Sequence, residues 1–166
     1  MPRQKLPIAL DRIFVRWMIK TDVVSVLAIE ATAAHPWNEE DLRTALRAQN
    51  CIGMIAEMQD RPGMPLAGFM VYELNKTNLE IINLAVAPEL RRIGVGRTLV
   101  NKVKGKVGLR NEDGAVRRNS VRTVLRESNL DAQLFFRSQG FMATEFWRGY
   151  FEDSGEDGYL MEYFSE

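Results

Sequence analysis

Apolar residues recur along the chain with two different periods, and the changes of period set out the elements. Residues 14–19 read as a first strand. Asp22 stands at a helix N-cap position, and Val23, Leu27 and Glu30 follow at helical turns, which predicts a helix running to about Ala33. His35-Pro36-Trp37 interrupts it, because a residue before proline is pushed out of the helical region. Asn38 caps a second helix, with Asp41 three residues on and Leu42 and Leu46 on one face. Residues 51–59 and 66–75 read as strands joined by the turn Asp60-Arg61-Pro62-Gly63. Lys76-Thr77-Asn78 turns into a third strand, 79–87, which Pro88 ends, so that the three form an antiparallel meander. Apolar residues at 95, 99, 100, 103 and 107 then return to helical spacing. The polar stretch 110–119, with Gly114 inside it, reads as a mobile loop. A strand at 121–126, a helix at 130–138 stopped by Gly140, and strands at 141–150 and 159–164 complete the chain. The order β-α-α-β-β-β-α-β-α-β-β predicts one mixed α/β (α+β) domain over residues 1–166 with a mostly antiparallel sheet.

Composition narrows the class. The 166 residues carry 22 Lys+Arg against 22 Asp+Glu, and this balance argues against a nucleic-acid-binding stripe, which needs a cationic excess. With 46% apolar residues the chain suits one soluble domain with a real core. No apolar run approaches the roughly 18–20 residues of a membrane span, and the N-terminus lacks the apolar stretch of a signal peptide. Cys51 is the only cysteine and His35 the only histidine, which leaves no internal disulfide and no expected metal site. The expectation is a cytoplasmic protein that handles small molecules or protein ends, without direct nucleic-acid or membrane contact.

One stretch carries a mechanism: Asn83-Leu84-Ala85-Val86-Ala87-Pro88-Glu89-Leu90-Arg91-Arg92-Ile93-Gly94-Val95-Gly96-Arg97. A strand ends at proline, and a turn with two glycines opens a helix. Glycines there let backbone N–H groups approach an anion, the helix N-terminus adds partial positive charge, and Arg91, Arg92 and Arg97 add cations. A pyrophosphate fits such a turn. A P-loop would have lysine and Ser/Thr after its second glycine, whereas Arg97-Thr98 follows here at a shorter spacing. A dinucleotide fingerprint would have a third glycine in a parallel unit, whereas the strand here belongs to a meander. The plainer alternative is a helix-start turn with no ligand.

Arg91-Arg92-Ile93-Gly94-Val95-Gly96 resembles the Arg/Gln-x-x-Gly-x-Gly/Ala signature of the GNAT acyl-CoA-dependent N-acetyltransferases, and the order of elements is similar from end to end. Within that superfamily the chain looks like the ribosomal-protein-alanine, RimI-type enzymes. The residues that carry this are His35-Pro36-Trp37-Asn38-Glu39-Glu40, Asn83-Leu84-Ala85-Val86, Arg126-Glu127-Ser128-Asn129, Gly140-Phe141, Gly149-Tyr150-Phe151 and Glu156-Asp157.

The resemblance implies a splayed sheet of about seven strands flanked by about four helices, with acetyl-CoA as co-substrate and no metal. It implies that the loop amides of Arg92, Ile93, Gly94, Val95 and Gly96, with Arg91, Arg97 and Thr98 around them, hold the pyrophosphate. Leu84, Ala85 and Val86 would line the pantetheine arm, and the Val86 N–H would point at the thioester carbonyl and stabilise its oxyanion. Asn129, also readable as a simple N-cap, would reach the pantetheine region, and Phe136 counts among the cofactor contacts.

RimI-type enzymes are understood to use a Glu base and a Tyr acid, and those two positions fall on Val124 and Phe136, neither of which can move a proton. Glu80, six residues before Val86, is then the candidate base, with an exposed strand glutamate pairing with a neighbour as the plainer reading. Tyr150 is the candidate hydroxyl for the acceptor or the thiolate, with packing as its plainer reading. A second route needs no strong base. An α-amine of pKa near 8 is about one-tenth neutral at pH 7, while a lysine near 10.4 is neutral in roughly one molecule in two thousand. In a third, the protein binds acyl-CoA without transfer.

The implied acceptor is therefore the N-terminal α-amino group of a protein, with a small-molecule amine as the alternative. A homodimer is among the assemblies the resemblance allows. His35 reads as a loop residue and Trp37 as packing or groove, Cys51 as buried and inert, and the acidic run 152–158 as a solvated hairpin loop or an attractor for basic peptides.

Overall fold

The computed structural model describes residues 12–60 and 66–166. Period-two stretches form strands and period-3.6 stretches form helices in the expected order: β1 (Ile13–Trp17), α1 (Val23–Glu30), α2 (Glu39–Arg47), β2 (Cys51–Met58), β3 (Gly68–Leu74), β4 (Asn78–Val86), α3 (Val95–Lys104), β5 (Ser120–Arg126), α4 (Leu130–Ser138), β6 (Met142–Phe151) and β7 (Glu156–Phe164). The strands make one seven-stranded sheet in the order β1-β2-β3-β4-β5-β7-β6. β1–β2, β5–β7 and β6–β7 pair antiparallel, and β4–β5 pairs parallel. This is the mixed α/β architecture that the sequence predicts, with four α-helices among the described residues. None of those helices is long and apolar enough to cross a membrane.

The chain divides into two compact units that draw on alternating stretches. Unit 1 takes residues 1–71 and 83–99, and unit 2 takes 72–82 and 100–166. β3, β4 and α3 each contribute to both.

In unit 1, β1 lies along β2 from Ile13↔Met58 to Trp17↔Met54. Asp22 holds the N-cap position of α1 as expected, but its side chain makes no capping bond to the helix. Its carboxylate accepts the Ile19 N–H at 2.8 Å and two bonds from the Arg16 guanidinium at 2.8 and 2.9 Å, so Lys20–Asp22 closes a 3-10 turn and α1 starts only at Val23. Arg16 also reaches Glu57 on β2, and its hydrogen bonds to Asp22 hold that carboxyl below the usual range. The helix predicted to reach Ala33 ends at Glu30. Asn38 caps α2 as expected: its Oδ1 accepts the Asp41 N–H and Asp41 returns the bond to the Asn38 N–H, both at 2.9 Å. Of the predicted turn between β2 and β3, Arg61, Pro62 and Gly63 lie outside the described residues. Cys51 is partly exposed rather than buried.

The α3 periodicity translates directly into packing, with Val95, Leu99, Val100, Val103 and Val107 all buried. In unit 2, β5 pairs with β7 through Arg126↔Gly158, so β7 begins at Glu156, three residues before its predicted start. The reason is long-range. Arg126 binds Asp153 at 2.7 Å and Glu156 at 3.2 Å, and the Ser128 N–H also donates to Glu156, which draws part of the acidic run into the ladder. The stretch expected as a mobile loop is an ordered turn. Arg110 bridges to Val116, Gly114 N–H donates to Asn111 O at 2.9 Å, and Asp113 accepts from Ala115 N–H at 3.0 Å.

Candidate functional site

The segment from Asn83 to Thr98 lies within unit 1. β4 ends at Val86, Pro88–Leu90 makes a 3-10 turn that buries Leu90, and α3 opens at Val95. Between them the backbone turns left-handed twice, at Arg92 (φ 61°) and at Gly94 (φ 100°). Arg92 is the sole non-glycine residue with positive φ among the described residues. That conformation costs an L-residue about 1–2 kcal/mol, a strain usually met at functional backbone. Alternating handedness of this kind turns successive N–H groups toward one concavity, an anion-binding nest. The N–H groups of the first turn of α3 lie outside the helix's own ladder, which starts as Thr98 N–H donates to Gly94 O at 2.9 Å. The Thr98 hydroxyl donates to the same oxygen at 2.8 Å, so this side chain braces the turn. Arg92 and Arg97 are exposed, Ile93 and Gly96 are partly buried, and Val95 is 1% exposed, packed into the core.

The strand that enters this turn has an oriented edge. Ala87 N–H donates to Ala67 O at 2.8 Å. Successive backbone groups alternate sides of a strand, so Ala85 faces as Ala87 does while the N–H groups of Leu84 and Val86 point to the opposite edge. Arg91 Nε donates to Val86 O on that edge at 3.2 Å. Gly68 lets this arrangement close up: a Cβ there would stand 2.8 Å from Ala85 O and 3.1 Å from Val95 Cγ1. A left-handed turn before a helix, flanking cations and an N–H edge fit the phosphate and amide groups of a CoA molecule.

The two candidate catalytic side chains lie in unit 2 and in one electrostatic neighbourhood. Glu80 stands opposite Arg122 in the parallel β4–β5 ladder, and its Oε2 accepts from Arg122 Nε at 2.8 Å and Nη2 at 2.7 Å. Its side chain is 15% exposed. Tyr150 is 45% exposed on β6. Partial burial and then the negative charge of Glu80 push its hydroxyl above the ordinary phenol value, Arg122 opposes the shift, and Glu73 adds to it. Gly158 on β7 seats the tyrosine, since a Cβ there would stand 2.9 Å from Val124 Cγ1 and 3.1 Å from Tyr150 Cβ. Val124, at the RimI-type base position, therefore shares its surroundings with a tyrosine from another strand.

Two other residues of the predicted set have structural partners. Asn129 caps α4, accepting the Ala132 N–H at 3.2 Å. Phe136, expected above as a cofactor contact, packs against its aromatic neighbours. It is 3% exposed, and its ring meets Phe135 and Phe141 edge-on at 5.1 Å. His35 is exposed and Trp37 partly buried on the connection between α1 and α2. Among the described residues no three of His, Cys, Asp and Glu gather as a metal site. The sequence does not single out Arg122 or Gly158 as neighbours of Glu80 and Tyr150. For Arg122 the available signal is its place two residues before Val124 on the same strand face.

The acetyltransferase (GNAT) family matches residues 20–141 of the chain. No curated protein sequence matches it. Among solved structures, the chain is similar to the ribosomal-protein-S18-alanine N-acetyltransferase from Escherichia coli at 22% identity and a TM-score of 0.70, over 90% of this chain and 92% of that one. It is similar at 18% identity to Arabidopsis thaliana Naa50 in complex with a bisubstrate analogue of CoA, acetyl and peptide, with a TM-score of 0.72 over 92% and 98% of the two chains. A third such structure is nourseothricin acetyltransferase, at 20% identity and a TM-score of 0.67 over 91% and 97%.

Proposed function

The chain belongs to the acetyltransferase (GNAT) family and is an acyltransferase, and from that premise we propose that it moves the acetyl group of acetyl-CoA to the α-amino group at a protein N-terminus. The observation that carries the cofactor side is the left-handed pair Arg92 and Gly94 at the head of α3, beside the outward N–H groups of Leu84 and Val86. In this reading the amides of the 92–96 turn hold the pyrophosphate, with Arg91, Arg92 and Arg97 screening its charge. Leu84 and Val86 pair with the pantetheine arm through their free edge, and Arg91 gives up its bond to Val86 O when they do. Acetyl-CoA supplies an acetyl thioester. The amine nitrogen bonds to the acetyl carbon as the carbon–sulfur bond breaks, the amine's proton goes to solvent, and sulfur takes up a proton.

Glu80 fits poorly as the direct base. Its carboxylate already accepts two bonds from Arg122. With Val124 and Phe136 unable to take its place, the amine must bring its own basicity. That favours an α-amine over a lysine by about two orders of magnitude in neutral fraction at pH 7. Tyr150, whose hydroxyl is kept protonated, is the proton donor in this account. The E. coli and Arabidopsis neighbours, named for a ribosomal protein's alanine and solved with a peptide analogue, support a polypeptide acceptor.

The test is a basic peptide that begins with alanine and holds one internal lysine, incubated with acetyl-CoA and read by fragment mass spectrometry. Acetyl on the terminal amine is the expected outcome. Acetyl on lysine, or transfer only to a small-molecule amine such as nourseothricin, would replace this reading.

A further inference from the structure

Two buried side-chain oxygens lack a hydrogen-bond partner among the described residues: the Tyr72 hydroxyl and Glu30 Oε2. Glu30 is 3% exposed and is the last residue of α1. A carboxylate there is unfavourable twice over. Removing it from water is costly unless its partners compensate, and the negative end of the helix dipole repels it. Its other oxygen, Oε1, accepts the Trp37 backbone N–H at 2.8 Å and the Asn83 side-chain amide at 3.1 Å. Neither donor belongs to α1. Trp37 lies on the connection between α1 and α2, and Asn83 is the residue of β4 immediately before Leu84. A pyrophosphate held by the 92–96 turn sends the pantetheine arm back to Val86, whose N–H meets the thioester carbonyl in this reading, and Asn83 stands three residues further along the same strand.

We propose that Glu30 is a positioning residue that pins the 35–38 connection to β4 at Asn83 and so fixes the wall the acceptor amine meets. The role is geometric, carried by Oε1 as a shared acceptor. It rests on the reading of residues 84–96 as the cofactor segment.

Glu30→Gln and Glu30→Ala separate this role from its rivals. Glutamine can accept both bonds through its own Oε1, whereas alanine can accept neither. The first readout needs no ligand: amide hydrogen exchange at His35, Trp37 and Asn38, followed by NMR. Glu30→Ala should speed exchange at Trp37 by about tenfold or more, as expected for loss of one hydrogen bond, and Glu30→Gln should stay near the wild-type rate. In steady-state assays Glu30→Ala should raise the peptide KM by a similar factor while acetyl-CoA affinity stays within about twofold, and Glu30→Gln should restore the peptide KM. Unchanged exchange in Glu30→Ala would overturn the pin. So would equal loss of acetyl-CoA and peptide binding, which marks a general lesion, or a Glu30→Gln variant that behaves like alanine, which marks a need for charge. A wild-type protein that leaves the peptide unmodified would defeat the N-terminal reading instead, and the exchange rates alone would then judge the pin.

Discussion

Tyr150 and Glu80 show how a residue's environment decides what it can contribute. Both were candidates for moving protons, yet the carboxylate spends its Oε2 on Arg122 while the phenol retains its proton, through partial burial and the nearby negative charge. The difference makes Tyr150 the better donor and Glu80 part of what keeps it protonated. Gly158 is the enabling position, because any side chain there would enter the space between Val124 and Tyr150. Gly158→Ala should therefore cost about 1–3 kcal/mol of stability through overpacking and shift the tyrosine. Tyr150→Phe keeps the packing and removes the hydroxyl. Its turnover should fall by about a hundredfold with acetyl-CoA affinity unchanged. Wild-type turnover in Tyr150→Phe, measured by stopped-flow thiol release, would take Tyr150 out of the mechanism.

At the scale of elements, what the sequence makes legible is what local chemistry decides. The helix at 130–138 matches to the residue because Asn129 caps it and Gly140 follows it. The same is true of the turn before α3. Its glycines and its position between a strand and an amphipathic helix are local facts, and the backbone there is left-handed at Gly94. The failures are long-range. Asp22 looks like a helix cap in isolation, but Arg16 from the preceding strand claims its carboxylate. The start of β7 depends on Arg126, some thirty residues away, and the pairing of Glu80 with Arg122 depends on a parallel register that no local pattern encodes. Glu30 hides for the same reason, since both of its donors arrive from outside its helix. The turn itself offers a direct test. Gly94→Glu places a side chain at φ 100° and a negative charge in the concavity, so acetyl-CoA binding by calorimetry should disappear while the fold persists. Normal affinity in that variant would remove the pyrophosphate from this turn.

In the proposed reading the whole molecule combines a cofactor segment at residues 84–96 with a proton-transfer apparatus that departs from the RimI-type pattern at Val124 and Phe136. An enzyme so built depends on the chemistry of its acceptor. Its rate should follow the neutral fraction of that amine, and Tyr150, raised above the ordinary phenol value of about 10, should remain in its donor form throughout the useful range. The sign is therefore fixed: the rate climbs with pH, and Tyr150 imposes no falling limb below about pH 10. The most direct measurement is acetyl-CoA-dependent thiol release with an alanine-terminated peptide at subsaturating concentration, from pH 6 to 9. The account predicts release that requires the free α-amine, rises about tenfold per pH unit at first, and levels off near pH 8 as the amine becomes neutral. A rate that is flat with pH, or one already at its plateau near pH 6, would mean that a protein base takes the proton, and would contradict it.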